Sequence, residues 1–208
     1  MTIGIGGAGS KIAAKLDSQA ILVNVSETEL NKVPGGARRI LASVHATRGQ
    51  FRGSRKNPQI GLDAYQSVRR ELLELARGNM VFCSSGGGTG NGITTGLLQD
   101  LSQATDIDTA NKTFFGIILP YAKLESNEFV NNTIEFLTGP LAEAIDSGNT
   151  GNIVLFSNKK KFEEKLSEDS YNQQLVESLK LFLSIPDKND VYRLLDGHID
   201  HEASGHSK

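Results

Sequence analysis

The sequence predicts an α/β protein, with one parallel sheet covered on both faces by helices. Three observations carry that expectation. Short β-branched runs alternate with stretches of helical period; the runs are apolar throughout, as strands buried on both faces are; and glycine clusters stand where strands hand over to helices. In chain order, residues 2–5, 20–25, 80–83, 113–119 and 153–156 read as buried strands. Leu62, Tyr65, Val68, Leu72, Leu75 and Ala76 recur at helical spacing, with Gly78 as a C-terminal stop. Residues 93–101, 128–145 and 171–185 have the same character, and 43–56, polar and basic without a clear period, read as a long loop.

At 208 residues the chain has room for one hydrophobic core, so one domain is expected over 1–196, with 197–208 as a flexible tail. A hydrophobic share of 38% and a net charge of −2 describe an ordinary soluble protein without the positive excess that direct nucleic-acid binding needs. No apolar run approaches the ~20 residues that span a bilayer. A strand starting at Thr2 leaves no room for a signal peptide. The single cysteine, Cys83, makes no internal disulfide and reads as a core residue in a reducing, cytoplasmic setting.

Two glycine loops carry the chemistry. Gly4-Ile5-Gly6-Gly7-Ala8-Gly9 satisfies G-x-G-x-x-G between a strand and the amphipathic stretch 11–16. Such a loop turns tightly and presents helix N-terminal amides to a phosphate. It is not a Walker A loop, because Ser10 precedes Lys11. Alone it fits a dinucleotide-binding Rossmann unit equally well. The second, Gly86-Gly87-Gly88-Thr89-Gly90-Asn91-Gly92, holds five glycines in seven positions, more than a turn requires. On one edge of the sheet, the pair would hold a polyphosphate between main-chain donors, with the Thr89 hydroxyl as a further donor.

The second loop strongly resembles the tubulin signature loop, G-G-G-T-G-[ST]-G, shared by tubulins and bacterial FtsZ. The likeness runs on in family order. TIGIGGAGSKIA is similar to the first nucleotide loop, closest to plasmid and phage TubZ; LVNVSETEL to the second; RKNPQIGLDAY to the N-P-x-x-G segment that senses the γ-phosphate; ILPYAKLES to the fifth loop; and IVLFSNKKKFE to the sixth. The resemblance covers residues 1 to about 195. It implies a Rossmann-like nucleotide-binding domain with the second, activation domain absent or truncated.

The resemblance also implies roles. Gly6, Gly7, Ala8 and Gly9 would meet the α- and β-phosphates of GTP or GDP, and Gly86, Gly87, Gly88, Thr89 and Gly90 the β- and γ-phosphates. Asn24 would lie on the base or Mg²⁺ side of the site, unless it simply caps the turn after its strand. Glu125 is matched, with a one-residue shift, to the ribose hydroxyls, and Asn158 to the guanine and ribose. Tyr171 supplies the ring that relatives stack on the base, but Leu175 stands where they carry an Asn or Asp. Either Asn172 reads the base instead, or base discrimination is altered, so ATP stays open beside GTP. Asp187 and Asp190, three apart after Pro186, occupy the first turn of an expected helix. By resemblance they would reach the nucleotide of the next subunit and polarise the attacking water; the plainer reading is two acids favoured by a helix N-terminus.

The expected function is therefore a GTPase that stacks head to tail into filaments, serving plasmid or phage DNA positioning, through a DNA-binding adaptor, or cell division. Heterologous contacts of that kind build filaments when their rotation does not close. A non-polymerising nucleotide-binding regulator of the same fold is the alternative, and an NAD(P) oxidoreductase a third reading, resting on the first loop alone. No protein metal ligands are assigned. His198, Asp200 and His201 read as a solvated tail; Arg48, Arg52, Arg55 and Lys56 as either the γ-phosphate loop or a solvated one; Lys159, Lys160 and Lys161 as an exposed face.

Overall fold

Six parallel strands form one sheet in the order β3-β2-β1-β4-β5-β6. They are β1 (Thr2–Ile5), β2 (Ile21–Asn24), β3 (Arg38–Leu41), β4 (Met80–Ser84), β5 (Thr113–Leu119) and β6 (Thr150–Ser157). The computed structural model describes residues 1–44, 54 and 56–184. All five predicted strands are present. The sixth, β3, carries no apolar run: of Arg38-Arg39-Ile40-Leu41 only Ile40 is buried. It is an edge strand, pairing with β2 alone, and charged side chains suit an edge.

Alternation along each strand sorts the core into two layers. Ile3, Ile5, Val23, Val81, Cys83, Phe115, Ile117 and Leu155 face one side, under α3 (Pro58–Ala76) and α4 (Gly88–Gln103). Leu22, Phe82, Ile118, Val154 and Phe156 face the other, under α1 (Gly6–Leu16), α2 (Glu27–Lys32) and the C-terminal helix. That last helix, α8 (Glu168–Ser184), buries Tyr171, Leu175, Val176, Leu179 and Phe182. Its N-terminal turn is tied to α1 by Lys11–Glu168 and by Lys15–Asp169 at 2.8 Å.

Two helices depart from the periodicity. The single helix expected over 128–145 is α5 (Asn127–Phe136), a π turn (Leu137–Leu141) and α6 (Ala142–Asp146). Pro140 lies inside the π turn, where a ring without an N–H cannot join a regular i→i−4 ladder. The other, α4, begins at Gly88, within the glycine run itself. A short α7 (Lys159–Glu163) follows β6 and takes in the lysine triplet. Much of the loop 43–56 lies outside the described residues, and so does the tail 197–208. Among the described residues no helix is long and apolar enough to cross a membrane.

Candidate nucleotide site at the strand ends

The strand order reverses direction between β1 and β4, which are adjacent and parallel. Such a switch point, at the carboxyl ends of the strands, is where open α/β sheets bind ligands. Both glycine loops emerge there. Gly6, at φ +72°, takes a backbone conformation that suits glycine, and a Cβ on it would lie 2.8 Å from the Gly90 nitrogen. The two loops are thus in contact, and each opens a helix.

Those two helices differ from their neighbours at the N-terminus. Ser26, Asn57 and Ser126 cap α2, α3 and α5 with side-chain oxygens. Neither α1 nor α4 has a side-chain cap or an acid in its first turn among the described residues. Their leading N–H groups are orphan donors with a favourable dipole, which is what an anion requires.

The glycine content of the second loop has a packing cause beside the one expected. A Cβ on Gly88 would overlap the Ser54 hydroxyl, one on Gly92 the Pro58 carbonyl, and one on Gly86 would meet Phe129 at 3.0 Å. Gly61, on α3, and Gly92 are correspondingly close. These glycines let α3, α4 and α5 approach the loop. Only at Gly87 of this loop does an added Cβ find nothing within 4 Å. In the first loop Gly7 is nearly as open and Ala8 is exposed, whereas Gly9 presses on the Phe82 carbonyl. The Thr89 hydroxyl, expected to face phosphate, instead donates to Ser54 Oγ at 3.1 Å, and Thr89 is buried.

Around this centre the other assigned residues fall into place unevenly. Asn24 is 1% exposed; its Oδ1 accepts from the N–H groups of Val25 and Ser26, at 2.8 and 3.2 Å, so it does cap the turn after β2. Its Nδ2 donates to Glu29 at 3.0 Å, and that carboxylate lies 3.8 Å from where a Gly7 Cβ would be. Glu29 is a residue the sequence reading missed, although Ser26-Glu27-Thr28-Glu29 has the spacing of a capping box.

Glu125 and Asn158, 33 residues apart, meet: Asn158 Nδ2 donates to Glu125 Oε2 at 3.2 Å, and the Tyr121 N–H donates to the same oxygen at 2.6 Å. They follow β5 and β6, on the same edge of the sheet as the glycine loops. Beside them the Tyr121 and Phe162 rings lie 6.2 Å apart.

Tyr171 is not a surface ring. It is 2% exposed in the core under α1, and its hydroxyl donates to the Ser157 carbonyl at 2.8 Å. Burial first, and the Glu125 charge second, push its phenol pKa well above the usual value. The ring expected to stack on the base is therefore enclosed here, packed in the stripe Tyr171, Leu175, Leu179. Asn172, 7% exposed, heads the adjoining stripe Asn172, Val176, Leu179. Asp187 and Asp190 lie outside the described residues, as do Arg48, Arg52, Arg55, His198, Asp200 and His201.

Lys56, at φ 65°, holds its ammonium 4.8 Å from the Phe129 ring centre. Cys83 is fully buried, and burial pushes its thiol up to about 12. No cluster of three or more His, Cys, Asp or Glu side chains suited to a metal occurs among the described residues.

No protein-family model and no curated protein sequence matches the chain. Solved structures do. CetZ2 from Haloferax volcanii, a GTPγS-bound protofilament, superposes with a TM-score of 0.66 at 19% identity, over 95% of this chain and 63% of that one. TubZ of Clostridium botulinum phage c-st gives 0.65 at 18%, over 96% and 66%. FtsZ of M. jannaschii, an empty dimer, gives 0.68 at 22%, over 94% and 60%. The chain has the tubulin/FtsZ fold, and it spans less than two thirds of the length of these proteins. The expected closeness to TubZ is not distinguished from closeness to CetZ or FtsZ.

Proposed function

We propose that the chain binds GTP, with magnesium, between its two glycine loops, and hydrolyses it to GDP and phosphate when copies stack head to tail. The observation that supports this most directly is the contact of Gly6 with Gly90 at the β1–β4 switch point, where two helices without side-chain caps begin side by side. A dinucleotide reading of the first loop assigns no ligand to the uncapped start of α4 beside it.

The chain's own residues divide the work. Amides from Gly6 to Gly9 and from Gly86 to Gly90 hold the phosphate oxygens. Glu125 and Asn158, already paired, offer a carboxylate to the ribose hydroxyls and an amide to the base, with Asn172 as the candidate for reading the purine edge. The Glu29 carboxylate, beside Gly7 and held by the Asn24 amide, suits a hard cation accompanying the triphosphate. When bound, magnesium would supply positive charge against the phosphoryl oxygens. Asp187 and Asp190, supplied by the next copy, position the attacking water, so turnover rises with assembly. Filaments made in this way position DNA through a separate DNA-binding adaptor or serve division.

Sedimentation with GTP, GDP and ATP over a range of protein concentrations tests ligand and assembly together. The expected result is GTP-dependent pelleting, with a GTPase rate that rises steeply above a threshold concentration. A rate per molecule that stays flat, with GTP bound, assigns the chain to a non-polymerising regulator. Asp187→Asn and Asp190→Asn should keep GTP binding and lose turnover; normal turnover in both removes them from the mechanism.

A further inference from the structure

The second glycine loop is held from behind by two asparagines. Asn91, in the first turns of α4, donates through Nδ2 to the Ser85 carbonyl at 2.6 Å and to the Asn132 carbonyl at 3.1 Å. Asn132, on α5, donates through Nδ2 to the Gly86 carbonyl at 2.9 Å and to the Lys56 carbonyl at 3.0 Å. The Asn91 amide is itself supported, since Thr95 Oγ1 donates to its Oδ1 at 3.3 Å, and Thr133, next to Asn132 on α5, ties that helix to the loop through a 2.8 Å hydroxyl bond with Ser85.

Peptide geometry turns these contacts into a statement about the front of the loop. No described peptide bond is cis. In a planar trans unit the C=O of one residue and the N–H of the next point in opposite directions. Holding the Ser85 and Gly86 carbonyls toward α4 and α5 therefore aims the N–H groups of Gly86 and Gly87 away from those helices. Among the described residues neither N–H has an acceptor. Gly87 is also the one position of the loop where an added Cβ meets nothing. Successive N–H groups presented together make an anion-binding concavity.

We propose that Asn91 and Asn132 are positioning residues for phosphate, clamping two consecutive carbonyls so that the Gly86 and Gly87 amides are preset toward the nucleotide's terminal phosphates. This rests on the GTP-binding reading above. Asn132 adds a second link, because the same amide holds the Lys56 carbonyl and so joins the chain entering α3 to the loop. A preset donor pair costs no reorganisation when the anion arrives.

The test is calorimetric titration of the full chain with GTP and GMP in magnesium buffer, alongside thermal melts. Asn132→Asp replaces two donors by acceptors facing carbonyls, in nearly the same volume. It should weaken GTP at least tenfold while GMP affinity stays within twofold, a difference that general loosening does not produce. Should that variant not fold, Asn132→Ala removes the donors without adding charge and should weaken GTP about threefold or more, again sparing GMP. The wild-type ¹H–¹⁵N resonances of Gly86 and Gly87 should shift with GTP and remain in place with GMP. Unchanged GTP affinity in folded variants overturns the proposal and leaves GTP binding standing; absence of GTP binding by the wild-type chain overturns both.

Discussion

The side-chain amide of Asn158 donates to the carboxylate of Glu125 at 3.2 Å, joining the turn after β5 to the turn after β6. Asn158→Asp would set two carboxylates at that distance, and like charges so close disfavour each other's ionised form. We expect GTP affinity to fall about tenfold. Adding Glu125→Gln to Asn158→Asp restores one donor facing one acceptor and should recover most of the loss. Calorimetry on the two single variants and the double gives the coupling; strictly additive losses would mean that the pair does not act as a unit.

Two glycines of the second loop should respond oppositely. Gly92→Ala drives a Cβ into the Pro58 carbonyl, a backbone atom that cannot rotate away. It should cost about 3 kcal/mol, the upper end of overpacking penalties, read as a lowered urea midpoint. Gly87, at φ −83° and ψ 165°, already has a conformation open to any residue. Gly87→Ala should leave stability unchanged or raise it by about 0.5 kcal/mol, yet weaken GTP because the methyl group enters the open side of the loop. Equal destabilisation by both would contradict the packing described.

Tyr171→Phe removes the hydroxyl that donates to the Ser157 carbonyl and leaves the ring in the core. Denaturant titration should register a loss of about 1 kcal/mol, the usual net value of one hydrogen bond. GTP affinity should change by less than about twofold, since the loss of a buried packing bond touches no ligand. A large loss of affinity at unchanged stability would place this residue in the base site after all.

Tyr65 and Asp100 give a pH signature. The Tyr65 hydroxyl donates to Asp100 at 2.6 Å, and Arg69 donates to both oxygens of the same carboxylate. Burial, then the Asp100 bond, raise the phenol pKa far above its ordinary value. A raised folded pKa gives stability that is whole below the unfolded value near 10 and declines as pH climbs beyond it. Burial of Asp100 acts upward, but the bonds from Arg69 and Tyr65 outweigh it and lower its pKa. That contribution is present above the unfolded value near 4 and is lost as pH falls through the lowered one. Tyr65→Phe should therefore flatten the stability loss between about pH 9 and 11, as urea midpoints would show.

The strands were legible because burial on both faces demands apolar side chains at every position, as in Ile3-Gly4-Ile5 and Ile117-Ile118-Leu119. Edge strand β3 was not, since one exposed side and a free edge let arginines stand where a central strand needs valine. The site shows the same division. Both glycine loops and the residues Glu125 and Asn158 stand out as motifs, but Glu29, Asn91 and Asn132 matter through contacts between separate segments: Glu29 with Gly7, Asn91 with Asn132, and Asn132 with Gly86 and Lys56.

By itself the sequence determined five of the six strands, the main helices that cover them, and two glycine loops at strand ends, because periodicity and glycine placement are local properties of the chain. Only the tertiary structure decided what each glycine is for, that Tyr171 packs inside the core, and that a pair of asparagines braces the loop from behind. Those outcomes depend on which surfaces the strand order β3-β2-β1-β4-β5-β6 presses together, and close approach between segments far apart in the chain leaves no periodic trace in either one.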